Sequence, residues 1–391
     1  VKIFFICNWF PNRNSPAEGL FLKYTSEAIS LYDDVTVFYA NEDASRSNNF
    51  EQVNTKSDNC ELRVAYYQQP QTFSKLLNAF ISSLKRIYYL HILLQNEIKK
   101  QRPDILHFNI VSPSIVVAWW YSFFYRIPLV YSEHWDIPLR VKMGLQKKWL
   151  LWRLGMKLCS MFAARVIVCS HAMKNVFAEF GFCSNAEIIG NVVTADNKNI
   201  NDNKRLHQKK IFLQVSSLAD AQKNVSQTLE VIAQVAEKRN DFEFHFIGSG
   251  SEIEEHRQHA LLLGLLNKTI FFHGFVSDEE KRNWYEKSIC HVLFSNFEGF
   301  SVATADAIYY GRPVIISRCG GPEDFVNESN GILVEPKNRQ QLADAMLHML
   351  DNFEKYKPEE LRNYGTQIFS SSAIGSKHHQ LYQSVLNAQP S

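Results

Sequence analysis

Short apolar runs, each followed by a longer stretch of mixed positions, recur along the whole chain. Residues 1–7 form a continuous run of apolar and β-branched side chains, the pattern of a strand covered on both faces. A loop rich in Asn, Pro and Gly fills 8–19, and 20–31 has helical spacing. Further strands are predicted at 35–40, 104–108, 129–132, 166–170 and 187–189. Residues 41–61 are polar and read as a loop or an edge excursion, and 73–100 as one long amphipathic helix. Strands alternating with helices predict a parallel α/β sheet. The alternation breaks at 194–210, TADNKNINDNKRLHQKK, which has almost no apolar content and reads as a linker. It restarts with strands at 211–215, 242–247, 269–272, 289–294, 314–317 and 332–334, and a last helix is expected at 369–386.

Composition narrows this picture. At 391 residues the chain exceeds one compact core, in keeping with two sheet-bearing halves. A net charge of +2 excludes the broad basic footprint of a general nucleic-acid binder. The seven cysteines are scattered and form no Cys-x-x-Cys, which argues against a zinc or disulfide framework and for a reducing, cytoplasmic setting. No apolar run reaches membrane-spanning length; the nearest, 115–125, reads as a buried helix. The chain opens directly on a strand, so no leader segment is expected.

The chemistry concentrates in 294–325, FSNFEGFSVATADAIYYGRPVIISRCGGPEDF. A strand ends at Phe294 and a polar loop follows. Ser301 has the chemistry of an N-cap for a short helix that Gly311 closes. A Gly320-Gly321-Pro322 turn then leads to Glu323. In such a strand–loop–helix unit the loop and helix N-terminus lie at the carboxyl edge of a parallel sheet, where doubly wound folds bind ligands. Free N–H groups at the helix start suit an anion. Glu298 and Asp306 suit sugar hydroxyls better than phosphate. The local reading is a nucleotide-sugar site.

This stretch resembles the donor-site signature of the GT4 family of retaining glycosyltransferases, which have the GT-B fold. That signature has two glutamates with seven residues between them, a Gly-x-Pro-Val strand, then Gly-Gly and a further glutamate. Glu298, Gly311, Pro313, Val314, Gly320, Gly321 and Glu323 match, whereas the second acid is Asp306, shorter by one C–C bond, about 1.5 Å. The resemblance implies an α/β protein of two Rossmann-like domains facing each other across a cleft. The expected division is an acceptor-side domain at 1–193, a linker at 194–210, a donor-side domain at 211–368 and a C-terminal helix at 369–391 crossing back to the first domain.

The resemblance also distributes roles. His134, Lys223 and Glu298 become the catalytic candidates. Gly19, Ser217, Lys223, Gly248, Gly274, Phe275, Val276, Phe300, Ser301, Val302 and Asp306 are assigned to the donor nucleotide and phosphates. Asn8, Glu18, His107 and Asn109 fall on the acceptor side, although His107 also reads as a structural residue at a strand tip. Asn191 reads as part of the inter-domain turn. Ser217 stands where the family often has an arginine, leaving Lys223 as the fixed cation on the leaving diphosphate unless Arg318 substitutes. Gly248-Ser249-Gly250 fails the dinucleotide fingerprint, because Ile253 occupies its third glycine position.

No Asp-x-Asp occurs, so neither a metal nor another cofactor is expected beyond the co-substrate, a UDP- or GDP-sugar. The implied reaction is front-face transfer with retention, the leaving phosphate helping to deprotonate a glycan or lipid-linked acceptor in bacterial surface-polysaccharide assembly. Two other readings stay open: a nucleotide-sugar epimerase or phosphorylase on the same fold, and a non-catalytic sugar-nucleotide binding module. Between Asp136 and Glu179 the chain carries basic residues, among them Arg140, Lys142, Lys147, Lys148, Arg153 and Lys157, and no acid. With Trp149 to Trp152 interleaved, 140–157 fits either peripheral contact with an anionic membrane or a core helix with basic ends.

Overall fold

The computed structural model describes residues 1–45, 50–57, 60–142, 144, 149–193, 200, 202 and 209–388. The chain divides into two compact units, Val1–Val192 with Ser371–Ser391, and Val193–Ser370. The expected linker lies mostly outside the described residues, and Lys210 already belongs to a strand.

In the first unit the described strands are β1 (Lys2–Cys7), β2 (Asp34–Asp43), β3 (Phe50–Ser57), β4 (Cys60–Gln68), β5 (Ile105–Asn109), β6 (Leu129–Glu133), β7 (Arg165–Val168) and β8 (Glu187–Ile188). They form one sheet in the order β3-β4-β2-β1-β5-β6-β7-β8, parallel except for the antiparallel β3–β4 pair. That hairpin decides between the two readings of 41–61 in favour of the edge excursion over the loop. β3, FEQVNTKS, is a polar edge strand, and edge strands carry little of the apolar signal that marks a central one.

The helices of this unit are α1 (Leu20–Ile29), α2 (Lys75–Ile98), α3 (Ile115–Tyr125), α4 (Ile137–Lys142), α5 (Trp149–Phe162) and α6 (His171–Glu179). Right-handed crossovers place α1 on one face and α2, α3, α5 and α6 on the other, because the chain moves along the sheet in opposite directions from β1 to β2 and from β4 to β8. α3 has the expected bounds but is not a buried helix. Trp119, Trp120, Phe123, Phe124 and Tyr125 are all exposed.

The second unit holds β9 (Lys210–Val215), β10 (Phe242–Ile247), β11 (Ile270–Phe272), β12 (Ser288–Leu293), β13 (Val314–Ser317) and β14 (Gly331–Val334). Their order is β11-β10-β9-β12-β13-β14, all parallel. Its helices are α7 (Asp220–Lys223), α8 (Val225–Ala236), α9 (Ile253–Leu262), α10 (Asp278–Lys287), α11 (Val302–Tyr309), α12 (Arg339–Asn352) and α13 (Pro358–Phe369). The core is a cluster of strand and helix residues including Phe212, Phe244, Ile289, Leu229 and Met346. Strand order reverses between β9 and β12, so the crevice above their carboxyl ends is the ligand position of a doubly wound sheet.

The expected final helix is present at nearly its expected bounds, preceded by another helix. Ser370 separates α13 from α14 (Ser371–Asn387), and Phe369 packs its ring against Phe300 and Phe325 in the second unit. α14 lies on α1 in the first unit. Their approach is so close that a side chain at Gly375 would put its Cβ 2.1 Å from the Ala28 carbonyl oxygen.

Candidate functional site

On the second unit, the loops after β9 and β12 meet at the crevice. Lys223 is the last residue of α7, the short helix after β9, and Asn224 behind it sits at φ 52°, turning the chain into α8. The Asn296 amide donates to the Gln222 carbonyl at 2.7 Å, and the Asn296 side chain donates to the Ala221 carbonyl at 3.1 Å. This docking brings the Lys223 ammonium to 2.5 Å from Glu298 Oε1. Ser295 Oγ donates to the same oxygen at 2.6 Å. Two residues 75 positions apart thus form one nearly buried ion pair.

Glu298 is fixed through its backbone as well. Its N–H donates to the Cys319 carbonyl at 2.7 Å, and its own carbonyl accepts from Gly321 at 2.9 Å. Gly321 has no room for a side chain, since a Cβ would stand 2.3 Å from the Gly299 oxygen. Glu323 closes the turn by accepting from the Gly320 amide at 2.9 Å. Arg318, the substitute cation considered for the leaving group, instead pairs with Glu323 and Glu335.

Ser301 caps α11 as expected, its Oγ accepting from the Thr304 amide at 3.4 Å. It does so at φ 70°, a left-handed conformation that an L residue adopts at a cost. The following amides, Val302 onward, open the helix without intrahelical acceptors. Phe300 is buried against Phe325 and Phe369, so its backbone alone can face a ligand. Asp306 lies one turn into α11, nearly buried, 3.3 Å from the Lys281 ammonium of α10. Burial pushes the Asp306 carboxyl up, and Lys281 pulls it back down. Lys281 is held charged, chiefly by Asp306. Lys281 was not among the residues singled out from sequence; it sits on a polar helix that carries no motif.

The β10 and β11 ends complete this edge. Gly248 has φ 133°, and a Cβ there would fall 1.8 Å from the Ser216 carbonyl oxygen. Its N–H donates to the Gly274 carbonyl at 2.8 Å, so the loops after β9, β10 and β11 are laced together. Ser217 and Phe275 are exposed along this rim, with Val276 half-buried beside them.

The first unit has its own carboxyl edge. His134 follows β6 and is set by Asn191, whose Oδ1 lies 2.9 Å from Nδ1. With Nδ1–H donating there, Nε2 is an acceptor; it is buried and has no hydrogen-bond partner among the described residues. Burial lowers the His134 pKa to about 4, so the ring is neutral at physiological pH. The inter-domain-turn residue Asn191 therefore also orients a candidate site residue.

Three assignments on this unit need correction. His107 is fully buried, with Nδ1 2.6 Å from Tyr382 Oη and Nε2 2.6 Å from Ser132 Oγ, so it is a core residue. Asn109 is also buried, its amide donating to the Ile6 and His107 carbonyls at 3.3 Å. Asn8 braces β1 against β5, donating to the Asn109 carbonyl at 3.0 Å and accepting from Ser112 Oγ at 2.6 Å. Gly19, at φ 64°, turns its bare Cα toward Trp9 and Phe10, where a Cβ would lie 2.6 Å from a backbone carbon. That approach by itself requires a glycine here. Glu18 stays half-buried beside it, accepting from Asn12 at 3.0 Å.

Of the basic stretch at 140–157, Lys147 and Lys148 lie outside the described residues. Arg140 pairs with Asp136 at 2.9 Å and Lys142 with Glu179 at 2.8 Å, so the acids flanking the stretch in sequence neutralise part of it.

Two Rossmann-like units with parallel sheets define the GT-B fold. Solved structures carry the same fold: sucrose-phosphate synthase from Thermosynechococcus elongatus has a TM-score of 0.75 at 17% identity, with 99% of each chain covered. Anabaena Alr3699/HepE in complex with UDP-glucose has a TM-score of 0.69 at 18% identity, with 98% of this chain and 99% of that one covered. Two family descriptions tile most of the sequence: Glycosyltransferase Family 4 over residues 28–197 and Glycosyl transferases group 1 over 196–367. The chain belongs to this glycosyltransferase family. Among its relatives is the poly(ribitol-phosphate) alpha-N-acetylglucosaminyltransferase of Staphylococcus aureus, 26% identical over 202 residues, or 47% of this chain and 40% of that protein. The chain spans 40% and 34% of the lengths of the first two curated relatives it matches.

Proposed function

We propose that the protein transfers a sugar, with retention and without a metal ion, from a nucleoside-diphosphate sugar to a glycan or lipid-linked acceptor in bacterial surface-polysaccharide synthesis. The observation that carries this reading is the Lys223–Glu298–Ser295 cluster beside the start of α11. Departure of the diphosphate from the anomeric carbon builds negative charge on phosphate oxygen, and fixed positive groups lower that barrier. Lys223 and the opening amides of α11 meet that need at the sheet's switch point. Glu298, on loading, exchanges its bond to Lys223 for hydroxyls of the transferred sugar. Asp306 and Lys281 face the nucleoside side. On the first unit, the unpartnered Nε2 of His134 is the acceptor assigned to a sugar hydroxyl. A family relative acts on poly(ribitol phosphate), and a solved structure of the same fold binds UDP-glucose. Both support a UDP- or GDP-sugar and a polymer or lipid-linked acceptor for this chain.

A second reading, a sugar-nucleotide binding module without turnover, is favoured by one observation. Lys223 is neutralised by Glu298, and Ser217 stands exposed where the family often has an arginine. One experiment separates the two. Purified protein is screened against UDP- and GDP-sugars for nucleoside diphosphate release and anomeric configuration of the product, in excess EDTA. Release with retained configuration is expected, and Lys223→Ala should lower kcat about 100-fold, as for loss of one transition-state charge partner. Binding without release supports the module. Inversion at the anomeric carbon, or activity that returns only with Mg²⁺ or Mn²⁺, contradicts the proposed chemistry.

A further inference from the structure

We propose that the outer face of α2, α3 and α5 docks on the surface of an anionic phospholipid bilayer, with the aromatic residues of α3 as its centre. This extends the membrane contact expected of 140–157, because the structure moves its apolar part to a helix whose sequence reads as buried.

The observation is an unpartnered apolar face built from three adjacent helices. α3 touches α2 through Trp120 and His91, whose rings lie 5.7 Å apart. It touches α5 through Trp119 and Phe162, 4.9 Å apart. The sheet lies under their inner sides, and the outer sides carry large apolar residues. On α3, Phe123 and Phe124 are 66% and 63% exposed, beside Trp119 and Trp120. On α2, Leu76, Phe80, Leu84 and Tyr88 recur every fourth residue and are all exposed. On α5, Leu150, Leu154 and Leu158 repeat at the same spacing. Four-residue spacing puts each set on one side of its helix. A soluble surface rarely gathers so many large apolar side chains without a partner.

Charge selects the occupant. No Asp or Glu occurs in 73–96, 105–132 or 137–178, the stretches that contain α3, α5 and all but the last turn of α2. Lys75, Arg126, Arg153 and Lys157 are exposed on or at the ends of these helices. The acids that bound these stretches in sequence are paired: Glu97 accepts from Arg63 at 3.0 Å, and Asp136 and Glu179 hold Arg140 and Lys142. An apolar face with cations and no anions fits a negatively charged bilayer: aromatics settle at the headgroup boundary and cations meet phosphate. Trp and Tyr, both present on α3, are the residues that partition to that boundary. No helix among the described residues is long and apolar enough to cross a membrane, so the contact is made on the surface.

The test uses the full chain with extruded vesicles of phosphatidylcholine alone, or with about a third phosphatidylglycerol, in a flotation assay. Expected is binding to the anionic vesicles that weakens as salt is raised, with little binding to the neutral ones. Phe123→Ser/Phe124→Ser should cut binding at least tenfold, and Arg153→Glu/Lys157→Glu should do the same at low salt. Leu262→Ser, an exposed apolar residue on α9 of the other unit, serves as the control and should bind like wild type. Far-UV circular dichroism checks that each variant folds. Equal binding of the Phe123/Phe124 double variant and wild type overturns the proposal. So does a concentration-dependent dimer that the double variant abolishes while vesicles are ignored, since the face would then pair two copies of the chain. Vesicle binding and sugar transfer are read separately, so a protein that floats but releases no nucleotide keeps this surface and loses the transferase reading.

Discussion

Asp306 shows how a single residue's role changes once its neighbours are known. From sequence it is a glutamate position shortened by one bond. In the fold, Lys281 stands 3.3 Å away and pairs with it. Asp306→Glu then pushes its carboxylate into Lys281 and should weaken donor binding, raising KM several-fold with kcat nearly unchanged, since a nucleoside contact is largely uniform binding. Lys281→Met should raise KM further, because a nearly buried acid then lacks its main cation. The double variant Asp306→Glu/Lys281→Met should recover donor affinity relative to Lys281→Met. Steady-state kinetics with the preferred nucleotide sugar checks all three, and strict additivity of the two changes would separate Lys281 from the site.

At the scale of elements, the donor edge is a lacing of loops, and glycines allow it. Gly248 crosses the Ser216 carbonyl so closely that a methyl group would lie 1.8 Å from its oxygen. Its φ of 133° adds backbone strain for any L residue. Gly248→Ala must part the loops after β9 and β10, and Lys223 rides on the first of them. Expected are a loss of several degrees in Tm and a larger loss of donor affinity, read by a thermal-shift titration with the nucleotide. A Gly264→Ala control, at a glycine with positive φ but nothing within 4 Å, should cost stability alone. The helix after β12 illustrates what local pattern conveys. Ser301 and Gly311 mark the ends of α11 because capping chemistry is local. By contrast, nothing local distinguishes β3 from a loop, or the inner from the outer side of α3.

For the whole molecule, buried neutral histidines decide the response to acid. Burial lowers the pKa of His107, His134 and His378 in the first unit, the last two to about 4. In the second unit it lowers His245 to about 4 and His291 to about 3. The unfolded chain takes up protons at these positions near pH 6.5, while the folded chain resists until far lower pH. Stability is therefore full above about pH 7 and is lost as pH falls from about 6.5 toward 4. Glu133 and Asp306, whose pKa values burial raises, act in the opposite sense but are two against six, since burial lowers His273 as well. Urea midpoints measured from pH 8 to pH 4.5 should fall steadily below about 6.5. His378→Gln should flatten part of that slope, and a midpoint constant down to pH 5 would mean these rings are not held neutral.

The apolar rhythm of the sequence determined two parallel α/β units, and the spacing from Glu298 to Glu323 marked the edge proposed to hold the donor. Both are short-range properties: strand and helix periods, caps and turns act within a few residues. The tertiary structure alone decided which distant side chains meet. It put Lys223 against Glu298 across 75 positions, set Asn191 on His134, placed Lys281 beside Asp306, and withdrew His107 and Asn109 into the core. It also turned the aromatic side of α3 outward. Burial depends on which elements pack over a segment, and those elements arrive from remote parts of the chain.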